Sequence, residues 1–479
     1  MYLGLDLGTS GLKGILISED QAVLAEASAP LAVSRPHDGW SEQAPADWIG
    51  AAEQVLDGLA QGNDMGAIRA IGLSGQMHGA TVLDEADAVL RPAILWNDTR
   101  SDVEAKAMDA EPAWRATTGN IVFPGFTAPK LEWMRRNEPD LFARARKILL
   151  PKDYLRLWLT GAHVSDMSDA AGTSWLDTGG RDWSDDLLER SGLSRDHMPV
   201  LVEGSDPSGE LRAELAARWG LRRDVVVAGG GGDNAASAIG VGVVSAGQAF
   251  VSLGTSGVLF AANDGYAPDP ETAVHTFCHA LPGKWHQMGV ILAATDALNW
   301  YAGLLGTDAP TLADGLSDLH PPGKTLFLPY LGGERTPLND ADIRGAFIGL
   351  EHATDRAGAT RAVLEGITFA IRDCRDALAA TGTGFDSLLA VGGGSRSEYW
   401  LRAVATALDI AVDVPVAGDF GGAFGAARLA IMSATGGGAE VATPPRIEQT
   451  IEPDRDLADA FDAGHERYVR ARDAIRGLT

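Results

Sequence analysis

The chain has 479 residues, enough for two or three domains with buried cores at about 150 residues each. With 39 Lys and Arg against 65 Asp and Glu the formal net charge is −26, which repels a phosphate backbone or an anionic membrane, so neither nucleic acid nor membrane is expected as a partner. Hydrophobic residues at 45% and charged residues at 22% make an ordinary globular mix, and the two cysteines, Cys278 and Cys374, exclude a disulfide framework and fit a reducing, cytoplasmic setting.

The N-terminus reads MYLGLDLGTSGLK, with Asp6 inside the first apolar stretch and no basic segment ahead of it, so no signal peptide is expected. YLGLD and LKGILI are β-rich runs on either side of a Gly-Thr-Ser-Gly turn, which predicts a hairpin. Helical spacing follows over Trp48 to Leu59, then a short strand over Ala70 to Leu73 ending in SGQMHG, and another over Ala80 to Leu83. DVVVAGGGG (224–232) reads as a strand running into glycines, and DNAASAIGVG as a helix with Asp233 at its N-cap. The uncharged run from Asn234 to Asn263 is long enough to span a bilayer, but its Asn, Gln, Ser and Gly and the break at SLGTSG favour a buried helix followed by a buried strand.

Within that run LGTSG of residues 7–11 recurs as residues 253–257, an offset of 246 that falls near the midpoint. Both copies sit between two β-rich runs, so the chain reads as a duplication, with halves 1–245 and 246–479. The second half then carries LLAVGGGSRS (388–397), a strand running into a Gly turn, and SEYWLRAVATAL, a helix. The fold class is α/β, in two similar halves with a cleft between them.

A Gly-rich turn after a strand offers backbone N–H groups to an anion, and a following helix adds its positive end. The turns at 8–11, 254–257 and 392–395 are of this kind, and a nucleotide triphosphate would fit between the halves against Thr9, Ser10 and Thr255. GKT at Gly323 to Thr325 lacks the first glycine of a Walker loop, and no Gly cluster forms a dinucleotide fingerprint. Asp6 and Asp233 each end a strand beside a Gly turn, which suits phosphoryl transfer: one carboxylate to take the proton of the attacking hydroxyl, one to hold Mg²⁺. Gln76 and His78 beside Met77 offer hydrogen-bonding groups, whereas HTFCH (275–279) has no further ligands and reads as structural.

Taken in order, DLGTSGLKG (6–14), SRPHDGWSEQ (34–43), SGQMHGATVLD (74–84), RPAILWND (91–98), PGFTAPKLEW (124–133), LPKDYLRLWLTG (150–161), SDMSDAAGTSWLD (165–177), GGGDNAA (230–236), SLGTSGV (252–258), GERTP (333–337), GGGSRSEYW (392–400) and GGAFGAARLA (421–430) resemble the FGGY family of sugar kinases over nearly the whole chain. QMHG separates it from relatives acting on glycerol, which carry an Arg-Glu pair there. The resemblance implies two actin-like, ribonuclease H-like domains flanking a deep catalytic cleft, sugar on the N-terminal side and nucleotide on the C-terminal side. It implies ATP-dependent phosphorylation of D-xylulose with Mg²⁺, and a homodimer is what the family suggests. Carried over residue by residue, Asp233 is the base for the sugar hydroxyl, Asp6 positions Mg²⁺ with Asp233 beside it, and Gln76, Met77, His78, Asp233 and Asn234 line the sugar. Gly8, Thr9, Ser10, Gly254 and Thr255 hold phosphates, and Gly393 and Gly394 lie near adenosine. One departure stands at Gly358, where the family has an acidic or amide residue, and it puts the start of the helix before ATRAVLEG in doubt.

Overall fold

The computed structural model describes every residue except 417, 419, 420, 477 and 479. The first half opens on the expected hairpin. β1 (Tyr2–Leu7) and β2 (Gly11–Ile17) pair antiparallel, and Gly8 N–H closes the turn onto Gly11 O at 2.9 Å. β3 (Val23–Pro30) extends the meander, and α1 (Pro45–Ala60) returns the chain to β4 (Ala70–Gly75), parallel to β1. Trp48, Ala52, Val55, Leu56 and Leu59 recur at helical spacing on α1 and form its buried face, and Pro45 suits its first turn. Then come α2 (Pro151–Thr160), β5 (Val164–Asp166), α3 (Met167–Ala170), β6 (Pro207–Glu210), β7 (Val226–Ala228), β8 (Gly231–Gly232) and α4 (Asp233–Val241). The main sheet runs β6-β7-β4-β1-β2-β3, with β8 paired to the end of β4.

The second half repeats this plan. β9 (Ala249–Leu253) and β10 (Gly257–Asn263) form the second hairpin, followed by β11 (His275–Cys278), β12 (Trp285–Ile291) and α5 (Thr295–Leu304). Later come α6 (Arg356–Ala380), β13 (Ser387–Val391), α7 (Glu398–Leu408), β14 (Ala411–Pro415), α8 (Gly422–Thr435), β15 (Ile447–Ile451) and α9 (Ala458–Ile475). The sheet order is β11-β12-β10-β9-β13-β14-β15. In each half the first hairpin strand has its antiparallel partner on one side and a parallel strand on the other, β4 for β1 and β13 for β9. The five-residue repeat thus marks a repeat of strand order.

Three details go beyond or against the sequence reading. The helix after the glycine run forms, but its N-cap is Gly232; Asp233 is the first helical residue and makes no cap bond. Its Oδ1 instead accepts from Asn234, from N–H at 2.7 Å and from Nδ2 at 2.9 Å. α6 starts cleanly with glycine at 358, because the Asp355 side chain caps it by accepting from Gly358 N–H at 2.8 Å. Finally, α8 belongs to the second half by sequence yet lies on the first sheet. A Cβ on Gly4 of β1 would stand 1.9 Å from Ala423 O, and one on Gly72 of β4 1.7 Å from Ala426 O. Glycine at those two positions is what lets the helix reach the sheet, and α8 also packs on α4.

Candidate active site

Asp6 lies near the end of β1 in register with Ser74 of β4, whose hydroxyl donates to Asp6 Oδ1 at 2.8 Å. The first turn of α8 comes close as well: a Cβ on Gly422 would stand 2.9 Å from Asp6 Oδ1. Asp233, at the head of α4, is close enough to feel the charge of Asp6. Burial pushes the Asp233 carboxyl up and the charge of Asp6 pushes it further, to about 6, against the two bonds from Asn234. A carboxylate so tuned is ionised at neutral pH yet basic enough to take a proton.

The Gln76-Met77-His78 turn follows β4. A Cβ on Gly232 would lie 2.8 Å from Met77 Sδ, so this turn packs directly against the residue before Asp233. Burial pulls the His78 imidazole down to about 3, so the ring is neutral. Its Nδ1–H donates to Gly172 O at 2.6 Å, which leaves Nε2 as a hydrogen-bond acceptor, and the ring stacks on Phe126 at 4.5 Å between centroids. The turn is pinned from behind by the fully buried Lys130, which donates to His78 O at 2.8 Å and to Gly125 O at 2.7 Å.

Gln76 is almost wholly buried, and both ends of its amide are engaged. Gln76 Oε1 accepts from Thr9 Oγ1 at 3.0 Å and its Nε2 donates to Gln43 Oε1 at 3.0 Å. Gln43 in turn accepts from Trp48 Nε1 and donates to Thr9 O at 2.8 Å, and the Thr9 hydroxyl accepts from Trp96 Nε1 at 2.9 Å. The Thr9 proton is therefore committed to Gln76, and the groups that the first hairpin can still offer an anion are its backbone and the exposed Ser10. In the second hairpin Thr255 is exposed, and the carbonyls of Gly254 and Thr255 accept from the N-terminus of α5, with Thr295 N–H on Gly254 O at 2.9 Å and Ala294 N–H on Thr255 O at 2.9 Å.

A cavity of about 850 Å³ opens between the halves, with Asn234 and Ser237 of α4 on one wall and Phe250, Gly392, Arg396 and Gln449 on the other. Gly393 is exposed near it, but Gly394 is buried, with Trp400 2.6 Å from where its Cβ would be. His275 and Cys278 lie on β11, His275 in an aromatic cluster with Phe123, Phe126 and Phe277 and Cys278 buried. Among the described residues no three His, Cys, Asp or Glu gather into a metal-holding group, and no helix is long and apolar enough to cross a membrane. The sequence reading did not find Gln43, Trp96, Lys130 or Gly172, since each reaches the site from a distant segment.

Two lobes of matching strand order, each opening on a Gly-Thr-Ser-Gly hairpin, with a carboxylate pair beside the cavity they share, define a two-domain actin-like, ribonuclease H-like phosphotransferase fold. The N-terminal domain of the FGGY family of carbohydrate kinases matches residues 1–240, and its C-terminal domain matches residues 249–434. The chain is 48% identical over 475 residues to a xylulose kinase of Escherichia coli, with 98% of each chain covered. It superposes on a xyloylose kinase from Brucella ovis with a TM-score of 0.98 at 61% identity, covering 100% of both, and on a xylulose kinase from Rhodospirillum rubrum with a TM-score of 0.92 at 29% identity, covering 100% of this chain and 99% of the other. The chain belongs to the FGGY family of carbohydrate kinases, and it is an ATP-dependent sugar kinase.

Proposed function

We propose that this kinase transfers the γ-phosphoryl group of ATP to the terminal O5 of D-xylulose, with Asp233 as the proton acceptor. The observation that carries the chemistry is the Asp233 carboxyl, lifted to about 6 beside Asp6 at the head of α4. The sugar assignment is supported by the full-length similarity to xylulose kinases and by the Met77-His78 turn packed on Gly232. Asp233 takes the O5 proton as the oxygen attacks phosphorus in line, and neutral His78 accepts a hydrogen bond from a sugar hydroxyl at Nε2 without adding charge. The backbone of the two hairpins, with Ser10 and Thr255, holds the phosphates, and the cavity bordered by Gly392 and Arg396 takes the nucleoside.

The donor set at the phosphate end is carboxylate oxygen without thiolate or imidazole, which fits a hard cation such as Mg²⁺ that keeps most of its waters. Asp6 would hold it, with Asp233 beside it; when bound, Mg²⁺ neutralises phosphate charge. Asp6, which does not take the O5 proton, would keep its negative charge toward the cation. Enclosure of the sugar between the lobes keeps water from replacing the hydroxyl as acceptor. The test is ADP release with D-xylulose, other pentuloses, hexuloses, polyols and gluconate. D-xylulose should give the highest kcat/KM, and a higher value for any other sugar overturns the assignment.

A further inference from the structure

Behind the strand that delivers Asp233 lies a cluster of five charged side chains with no solvent exposure: Lys152, Asp153 and Arg156 of α2, Asp166 at the end of β5, and Asp169 of α3. Lys152 Nζ stands 2.6 Å from Asp153 Oδ1, 2.8 Å from Asp166 Oδ1 and 3.4 Å from Asp169 Oδ2. Burial pulls Lys152 down, but the three carboxyl groups outweigh it and hold the ammonium above its usual range. Burial pushes Asp169 well above the ordinary carboxylate range.

A buried ionic cluster is weak evidence for stability, because desolvation offsets the attraction and apolar residues of similar volume often serve as well. This one holds backbone. Arg156 Nη1 donates to Ala228 O at 2.6 Å, and its Nη2 donates to Gly229 O. Asp166 Oδ2 accepts from Ser168 N–H at 2.8 Å and from Ser168 Oγ at 2.5 Å. With its proton committed to Asp166, Ser168 Oγ accepts from Gly232 N–H at 3.1 Å. The glycine run has no side chains with which to pack, so its course from Ala228 to Gly232 is held by backbone pairing, including that of β8 with β4, together with side chains of α2 and α3.

We propose that Ser168, oriented by Asp166 and Lys152, is a positioning residue for phosphoryl transfer: it fixes Gly232 N–H and with it the place of the Asp233 carboxylate and of Met77, which packs on Gly232. The proposal rests on the reading of Asp233 as proton acceptor. The charge acting on Asp233 is that of Asp6, so the cluster works through geometry.

Ser168→Ala leaves Gly232 N–H without its acceptor, and a displacement of about 1 Å at a reacting group lowers the rate up to about 10²-fold. The expected result is a kcat on D-xylulose at least about tenfold lower, with KM for ATP within about twofold of wild type. Ser168→Thr, which keeps the hydroxyl, should recover at least half of the lost kcat. Wild-type kcat in Ser168→Ala overturns the proposal, and so does a loss that Ser168→Thr shares or one matched by an equal rise in KM for ATP. If Ser168→Ala does not fold, Ser168→Cys, similar in volume and only a weak acceptor, takes its place under the same criteria. Asp233→Asn assayed alongside separates the two readings. Full activity there refutes the proton-acceptor role, whereas an inactive Asp233→Asn with an unaffected Ser168→Ala refutes only the positioning role.

Discussion

Asp233→Asn removes the proton acceptor while keeping the side-chain shape and an oxygen for the two bonds from Asn234. Its effects on rate and on stability should have opposite signs. The shift from 3.8 to about 6 corresponds to ~3 kcal/mol of unfavourable interaction for the ionised form. Because the folded-state pKa is raised, that penalty is present above about pH 6 and absent below about pH 4, where folded and unfolded chains both carry the proton. The side chain keeps some contact with cleft solvent, which screens the interaction and trims the figure to about 1–3 kcal/mol. Asp233→Asn should therefore raise the thermal midpoint by a few °C at pH 8, on the scale of about 2–4 °C per kcal/mol for a lobe of this size, and the gain should vanish at pH 4. In a coupled ADP-release assay kcat should fall about 10²-fold or more, and the wild-type acid limb near pH 6 should be missing from the residual activity. Near-wild-type turnover, or a thermal midpoint below wild type at pH 8, would refute the reasoning.

His78→Ala should raise KM for D-xylulose about tenfold, the scale of one hydrogen bond, with KM for ATP unchanged; since the imidazole titrates near pH 3, the factor should be the same at pH 6 and pH 8. Gly72→Ala places a Cβ 1.7 Å from Ala426 O and must part β4 from α8, so the thermal midpoint should drop by several °C, about 3 kcal/mol or more; an unchanged midpoint would show that the contact yields freely.

The hairpins that open both lobes were legible because their signals are local. A strand, a Gly-Thr-Ser-Gly turn and a second strand stand side by side in the chain, and finding them twice, 246 residues apart, implies the duplication. Roles that depend on distant partners were not legible. Gln76 looks like a free amide in SGQMHG, but Gln43 and Thr9 occupy both of its ends from 33 and 67 residues away. Asp233 follows four glycines and so looks like a helix cap; only the backbone shows that Gly232 takes the cap and leaves the carboxylate to Asn234. Nor does GGAFGAARLA state that it packs on the other half. Its small residues permit a close approach, and glycines at positions 4 and 72 supply the other side of it.

The net charge of −26 also has a narrower meaning once the cleft is known. At physiological salt the Debye length is about 8 Å, so most surface carboxylates are screened from a nucleotide in the cleft, and the groups that decide binding are those lining it. There burial, and after it the charge of Asp6, raises the Asp233 carboxyl. A site in that condition gains from any cation that arrives with the phosphates. Under the proposed mechanism the same half-buried pair would favour a charge-neutralised nucleotide over a bare one and would give the sugar hydroxyl a base matched to neutral pH, two requirements of a sugar kinase met by two aspartates that could not both remain fully ionised without cost.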